Sequence, residues 1–271
     1  MTERITLEDL EMEYITFGSG KKTFVIRPGL SVQSVLASAP AIEKQYGAFR
    51  DGYTVYLFDR RAGLPGKYPV FDMAEDTARA MRALGLADVC LFGASQGGMM
   101  AQVIAAEHPE LVKKLALGST ACRISEKSRA VLEEWISLAE KGEAEKLYLS
   151  FGEKLFPAET FGQYRDAFCI MARGVTGADL KRFAVLARGT YGFDVKDRLK
   201  DIKCPVLVLG DLKDAVLGAG AAFEIAEALN GRPGFELYMY SGYGHAAYDS
   251  APDYKRRLLS FFDKREDDDA F

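Results

Sequence analysis

Apolar residues in this chain come in short runs, separated by stretches with helical spacing. Alternation over 12–17 reads as an edge strand that closes on Gly18-Ser19-Gly20. KTFVIR, residues 22–27, is a strand stopped by Pro28-Gly29. A helix is predicted over 41–50, a strand over 53–58, a helix over 72–84 and a strand over 89–92. A helix over 99–106 then ends at His108-Pro109, and a strand follows over 114–117. Near-continuous apolar strands alternating with helices are the mark of βαβ crossovers, hence of a mostly parallel sheet covered on both faces.

The rhythm changes near residue 122. From about 125 to 191 no strong strand run is present, and helices are predicted over 131–140, 142–155 and 164–173. Strand and helix alternation resumes with PVLVL at 205–209, a helix over 221–229, a strand over 235–240 and an amphipathic helix over 254–262. The expectation is therefore an α/β fold, a doubly wound sheet built from residues 1–122 and 192–271, interrupted by a helical insertion over 123–191.

Composition narrows the class. The chain has 271 residues, 48% hydrophobic and 27% charged, which suits one large α/β domain with an insertion. A net charge of −4 supplies no basic patch, so neither nucleic acid nor an anionic membrane surface is an expected partner. No apolar run of membrane-spanning length and no signal-peptide pattern is present, so a cytoplasmic location is expected. Cys90, Cys122, Cys169 and Cys204 are widely spaced and read as reduced structural thiols. Two histidines without nearby cysteine make a metal site unexpected. The acidic run 263–269 reads as a solvated end.

Catalytic groups in open α/β sheets sit beyond the carboxyl ends of the strands. Those ends deliver Arg27 to Leu30, Asp59-Arg60, Ser95, Ser119-Thr120, Asp211 with Asp214, and Gly242 to His245. A serine, a carboxylate and a histidine thus follow in that order. Gly93-Ala94-Ser95-Gln96-Gly97 is a G-x-S-x-G turn between strand and helix. Such a turn forces its serine into a strained conformation, and glycines two residues away leave room for it. The following helix aims its N-terminus at any developing negative charge. A dinucleotide loop needs G-x-G-x-x-G, and Gly93, Gly97 and Gly98 do not give that spacing. His108 sits in a helix exit away from this end, where it would interact with the helix dipole. That leaves His245 as the available base. Asp59 is expected to order loop backbone.

On these residues the chain resembles the α/β-hydrolase family over nearly its whole length. GASQGG looks like the family's nucleophile elbow, PVLVLGDLKD like the strand that carries the acid, and GYGHAAY like the histidine loop before the last helix. The insertion stands where the family puts its cap. The resemblance implies about eight strands, with Ser95 as nucleophile, His245 as base and Asp214, rather than Asp211, as the acid. It implies an oxyanion hole from the N–H groups of Gln96 and Leu30, although Pro28 replaces the usual histidine before the glycine. Asp211 stands where the family usually has glycine. Arg27, Phe151 and Phe168 are candidate pocket residues, with loop ordering the preferred role of Arg27 and packing of the cap on the core that of most cap aromatics.

The expected activity is cofactor-free hydrolysis of a small, partly apolar carboxylic ester or related acyl bond. Thioesters, amides, carbon–carbon bonds and acyl transfer lie within the same class, and the substrate partner is a small molecule. A non-catalytic ligand-binding or scaffold protein on the same fold is the rival reading, suggested by Pro28. The residues do not mark an oligomeric state.

Overall fold

A computed structural model describes residues 2–264. Eight strands form one sheet: β1 (Thr2–Thr6), β2 (Glu11–Phe17), β3 (Lys22–Arg27), β4 (Tyr53–Arg61), β5 (Val89–Ala94), β6 (Val112–Gly118), β7 (Val206–Asp211) and β8 (Phe235–Tyr240). Their order is β1-β2-β4-β3-β5-β6-β7-β8, antiparallel across β1-β2 and β2-β4 and parallel from there to β8. Strands β5 and β7 are buried at every position, as expected of central parallel strands covered on both faces.

The helices are α1 (Ala39–Gln45), α2 (Val70–Ala83), α3 (Gln96–Glu107), α4 (Glu126–Glu140), α5 (Ala144–Leu155), α6 (Ala158–Arg173), α7 (Gly177–Arg188), α8 (Ala219–Leu229), α9 (Ala247–Ser250) and α10 (Tyr254–Asp263). They cover both faces, so the sheet is doubly wound. One core joins Met73 of α2, Met100 of α3 and Ile225 of α8 to Val25, Leu91 and Leu115. The other joins Phe49 and Leu258 and Phe262 of α10 to Phe24, Leu57 and Phe92. Each consists of alternate side chains from the same strands, which a period of two dictates.

Helices α4 to α7 all fall between β6 and β7. The last of them, α7, was not predicted as a separate helix. It starts with a capping box in which Thr176 and Asp179 satisfy each other's backbone N–H groups. Two further expectations are corrected. Strand β4 does not end near Asp59 but runs to Arg61, and Asp59 pairs with Arg182 of α7 at 2.6 Å instead of ordering a loop. His108 caps α3, but its ring lies between Glu75 and Arg82, each at 2.8 Å, in a surface ion cluster. From the acidic run at the end of the chain, Asp263 accepts hydrogen bonds from Lys22 at 2.6 Å and Tyr53 at 2.8 Å; residues 265–269 lie outside the described residues. No described helix is long and apolar enough to cross a membrane.

Candidate active site

The turn from β5 into α3 holds Ser95 at φ 52° and ψ −122°, a backbone conformation that costs an L-residue about 1–3 kcal/mol. The glycines around it have identifiable neighbours. A Cβ on Gly93 would strike the backbone of Gly97, and one on Gly97 would strike the carbonyl oxygens of Arg27 and Pro28. The G-x-S-x-G spacing is thus a packing requirement: the loop after β3 crosses directly over the start of α3. Thr120, just after β6, donates to the carbonyl oxygen of Ser95 at 2.7 Å and braces the strained turn.

Beside that turn, the loops after β7 and β8 converge. His245 Nε2 lies 2.9 Å from Ser95 Oγ, and its Nδ1 lies 2.8 Å from Asp214 Oδ2. The ring is 2% exposed, so water barely competes for either contact. Asp214 Oδ1 accepts from the backbone N–H groups of Val216 and Leu217 at 2.8 and 2.9 Å. Burial pushes the Asp214 carboxyl up, but His245 and those two amides outweigh it and hold the group below its ordinary range. It is therefore ionised at neutral pH.

Asp211 has a different task. Its Oδ2 accepts from the N–H groups of Gly242 and Tyr243 at 3.1 and 2.8 Å, and its Oδ1 from that of Lys213 at 2.7 Å. The residue standing in place of a glycine ties the loop that carries His245 to the loop that carries Asp214.

The N–H of Gln96 opens α3 and has no acceptor within the helix. The N–H of Leu30 has no partner among the described residues. Gly29 brings this second loop against the serine: a Cβ there would lie 3.2 Å from Ser95 Cβ. Arg60, which sequence reasoning missed, joins the two halves. Its Nη2 donates to the carbonyl oxygens of Pro28 and Gly29 at 2.9 and 3.3 Å and to Gln96 Oε1 at 2.9 Å. Gln96 Nε2 in turn donates to the carbonyl of Leu186 in α7 at 2.6 Å. Burial lowers the Arg60 pKa to about 10, so the guanidinium stays charged at neutral pH.

Above Ser95 lies a small chamber of about 30 Å3, lined by Leu30, Met99, Trp135, Phe151, Val216 and Leu217 among others. That is space for roughly two water centres. Phe151 lines this chamber and the broader cleft beside it, whereas Phe168 lines only the cleft. Arg27 is a correction. It is completely buried, its Nη1 donating to the carbonyls of Phe58 and Asp59 at 3.1 Å each, and it lines neither space. Trp135 of α4 was missed. Among the described residues, one cluster has the geometry to hold a metal, Glu75, Glu107 and His108, at the far end of α3 from Ser95.

An α/β-hydrolase fold family model matches residues 33–152. Two relatives bear the name "Putative carbamate hydrolase RutD". The one from Agrobacterium fabrum is 26% identical over 80% of this chain and 85% of its own length. The one from Serratia proteamaculans is 25% identical over 89% and 92%. Among solved structures, an α/β-hydrolase enzyme, MGS-M2, from a Medee basin deep-sea metagenome library superimposes with a TM-score of 0.85 at 19% identity, covering 97% of this chain and 98% of that one. The enol-lactonase of Burkholderia xenovorans gives 0.83 at 18% identity, covering 97% and 100%. The eight-stranded sheet and these matches define the fold: the chain has the α/β-hydrolase fold, and that family's model matches its residues 33–152. The relatives matched by sequence are named as hydrolases.

Proposed function

We propose that this protein is a serine hydrolase that cleaves a small, partly apolar carboxylic ester or a related acyl bond. The observation that supports it most is the unbroken contact series from Ser95 Oγ through His245 to an ionised Asp214, on a strained turn under a small apolar chamber. In this reading His245 Nε2 takes the Ser95 proton as Oγ attacks the acyl carbon. Asp214 orients the ring and stabilises its protonated form. The N–H groups of Gln96 and Leu30 receive the oxyanion, each worth about 2.7–4 kcal/mol in the transition state. The protonated His245 then gives its proton to the leaving oxygen, and an acyl-Ser95 ester remains. Water, deprotonated by the same histidine, attacks that ester, and acid and free serine result.

The name of the relatives raises carbamate as a substrate. Among the described residues no lysine or arginine lines the chamber, and a free carbamate anion there would lack a counter-charge. The lining favours a neutral acyl or carbamoyl group of a few heavy atoms. Residues 123–191 serve in this proposal as the cap that closes the chamber over the core of residues 1–122 and 192–271. A reducing, cytoplasmic setting accords with four free thiols, of which burial pushes Cys90 and Cys204 up to about 11 and Cys122 to about 12.

Hydrolysis of p-nitrophenyl acetate and p-nitrophenyl octanoate, by native protein and Ser95→Ala, tests the reading. The acetate is expected to be preferred at least about 10-fold in kcat/KM, with turnover abolished in the variant. Absence of turnover by the native protein, or its persistence in Ser95→Ala, favours the non-catalytic binder and overturns the proposal.

A further inference from the structure

A broad cleft of about 610 Å3 lies behind the Pro28-Gly29-Leu30 loop. It shares Leu30, Phe151, Leu155 and Tyr248 with the chamber over Ser95, so the two spaces meet at those side chains. Its walls are mainly apolar and aromatic, with the rings of Tyr46, Phe92, Phe156, Tyr164 and Phe168 among them. Among the described residues a single lining side chain carries a formal charge, that of Asp249 in α9.

That carboxylate is left open. It is exposed along the cleft, yet takes no hydrogen bond and no ion pair from the described residues. The nearby cation, Lys255, is engaged elsewhere. It lies 5.1 Å from the ring centre of Tyr46 and 5.8 Å from that of Tyr254, and it donates to the carbonyl of Tyr248. The protein packed around Asp249 pushes its carboxyl above the ordinary value, while Lys255 and His245 pull the other way through space. A solvent-reached carboxylate without a protein partner, set beside aromatic walls, offers a negative charge that an incoming cation can pair with.

An organic ammonium answers both features. Its charge pairs with Asp249, and its alkyl groups and charge suit the ring faces. We propose that the cleft binds an organic ammonium carried by the leaving group of the substrate, and that Asp249 selects it. This rests on the hydrolase reading only for which end of the substrate lies there. The acyl group stays on Ser95 after the first step, which suits the small chamber. The first product must depart, which suits the cleft, open to solvent at the exposed Tyr164 and Met171.

The test uses two alcohols of equal shape, choline and its uncharged carbon isostere neohexanol, with their acetate esters. In calorimetric titration of Ser95→Ala, choline is expected to bind about 10-fold tighter than neohexanol, and added salt should shrink that margin. In Ser95→Ala/Asp249→Asn the ratio should fall to about one. With native enzyme, kcat/KM should favour the choline ester by a similar factor. If choline is preferred in binding but neither ester is cleaved, the hydrolase reading fails and the cation site stands. If Ser95→Ala binds the two alcohols alike, or the preference survives Asp249→Asn, the cation site is wrong whatever the esters do. The first titration leaves the cleft unaltered, so a poorly folding Asp249→Asn does not rescue the proposal.

Discussion

The chamber over Ser95 and the cleft behind the Pro28-Gly29-Leu30 loop are neighbours with similar apolar linings, yet they treat a carboxylate in opposite ways. At the chamber, Asp214 is clasped by His245 and two backbone amides and held below its ordinary pKa. At the cleft, Asp249 has no donor from the described residues and is pushed above its ordinary value. A satisfied carboxylate has its charge committed to the fold and can orient a histidine. An unsatisfied one keeps its charge available to something that arrives. In the proposed reading, the difference separates a part that does chemistry from a part that chooses what the chemistry acts on.

Substitutions at the chamber should therefore reach kcat, and those at the cleft should reach selectivity. Ser95→Ala and His245→Ala should each lower kcat about 10^5-fold with the melting temperature nearly unchanged, measured by ester turnover and thermal unfolding. Asp214→Asn should cost about 10^4-fold, because the amide orients the ring poorly and cannot stabilise its charged form. It should also change the pH dependence of stability. A lowered carboxyl pKa contributes stability that is complete above the ordinary value of 3.8 and disappears as pH falls through the lower folded value. The stability gap between native protein and Asp214→Asn should accordingly be constant near neutrality and close only in strong acid, as read by urea unfolding across pH.

Arg60 and Asp211 sharpen the boundary, since they touch loops rather than substrate. Arg60→Ala removes the one nitrogen shared by the Pro28, Gly29 and Gln96 oxygens and should lower kcat about 100-fold with KM little changed. Asp211→Asn keeps one acceptor oxygen for the Gly242 and Tyr243 amides and should cost about 10-fold. A larger loss at Asp211 than at Asp214 would reverse the assignment of the acid. The smallest effect on catalysis is expected at Asp249, where the choline-to-neohexyl ratio changes and chemistry does not.

The legibility of these features in sequence follows their range. Strands β5 and β7 are read directly because a buried parallel strand is one apolar run. Ser95, His245 and Asp214 are legible because each follows a strand in a local motif. Strand β1 is not, since TERIT is a polar edge with one buried residue. Helix α7 is obscured inside a long helical stretch, although Thr176 and Asp179 carry its capping signal. Arg60 looks like a charged loop residue after an apolar strand. Its burial comes from partners 31 to 36 positions away, and no local pattern encodes them. Arg27 fails for the mirror reason: a position beside the site is visible in sequence, but the direction of its side chain is not. Asp249 is likewise invisible, because what sets it apart is that no described residue pairs with it.

The central claim is that Ser95 is a nucleophile activated by His245. Intact-mass spectrometry after incubation with a fluorophosphonate tests it most directly, with peptide mapping of the adduct. A single phosphonyl adduct on Ser95, absent from Ser95→Ala and greatly slowed in His245→Ala, is the predicted result. Folded native protein that stays unmodified, or an adduct on another residue, would contradict the account.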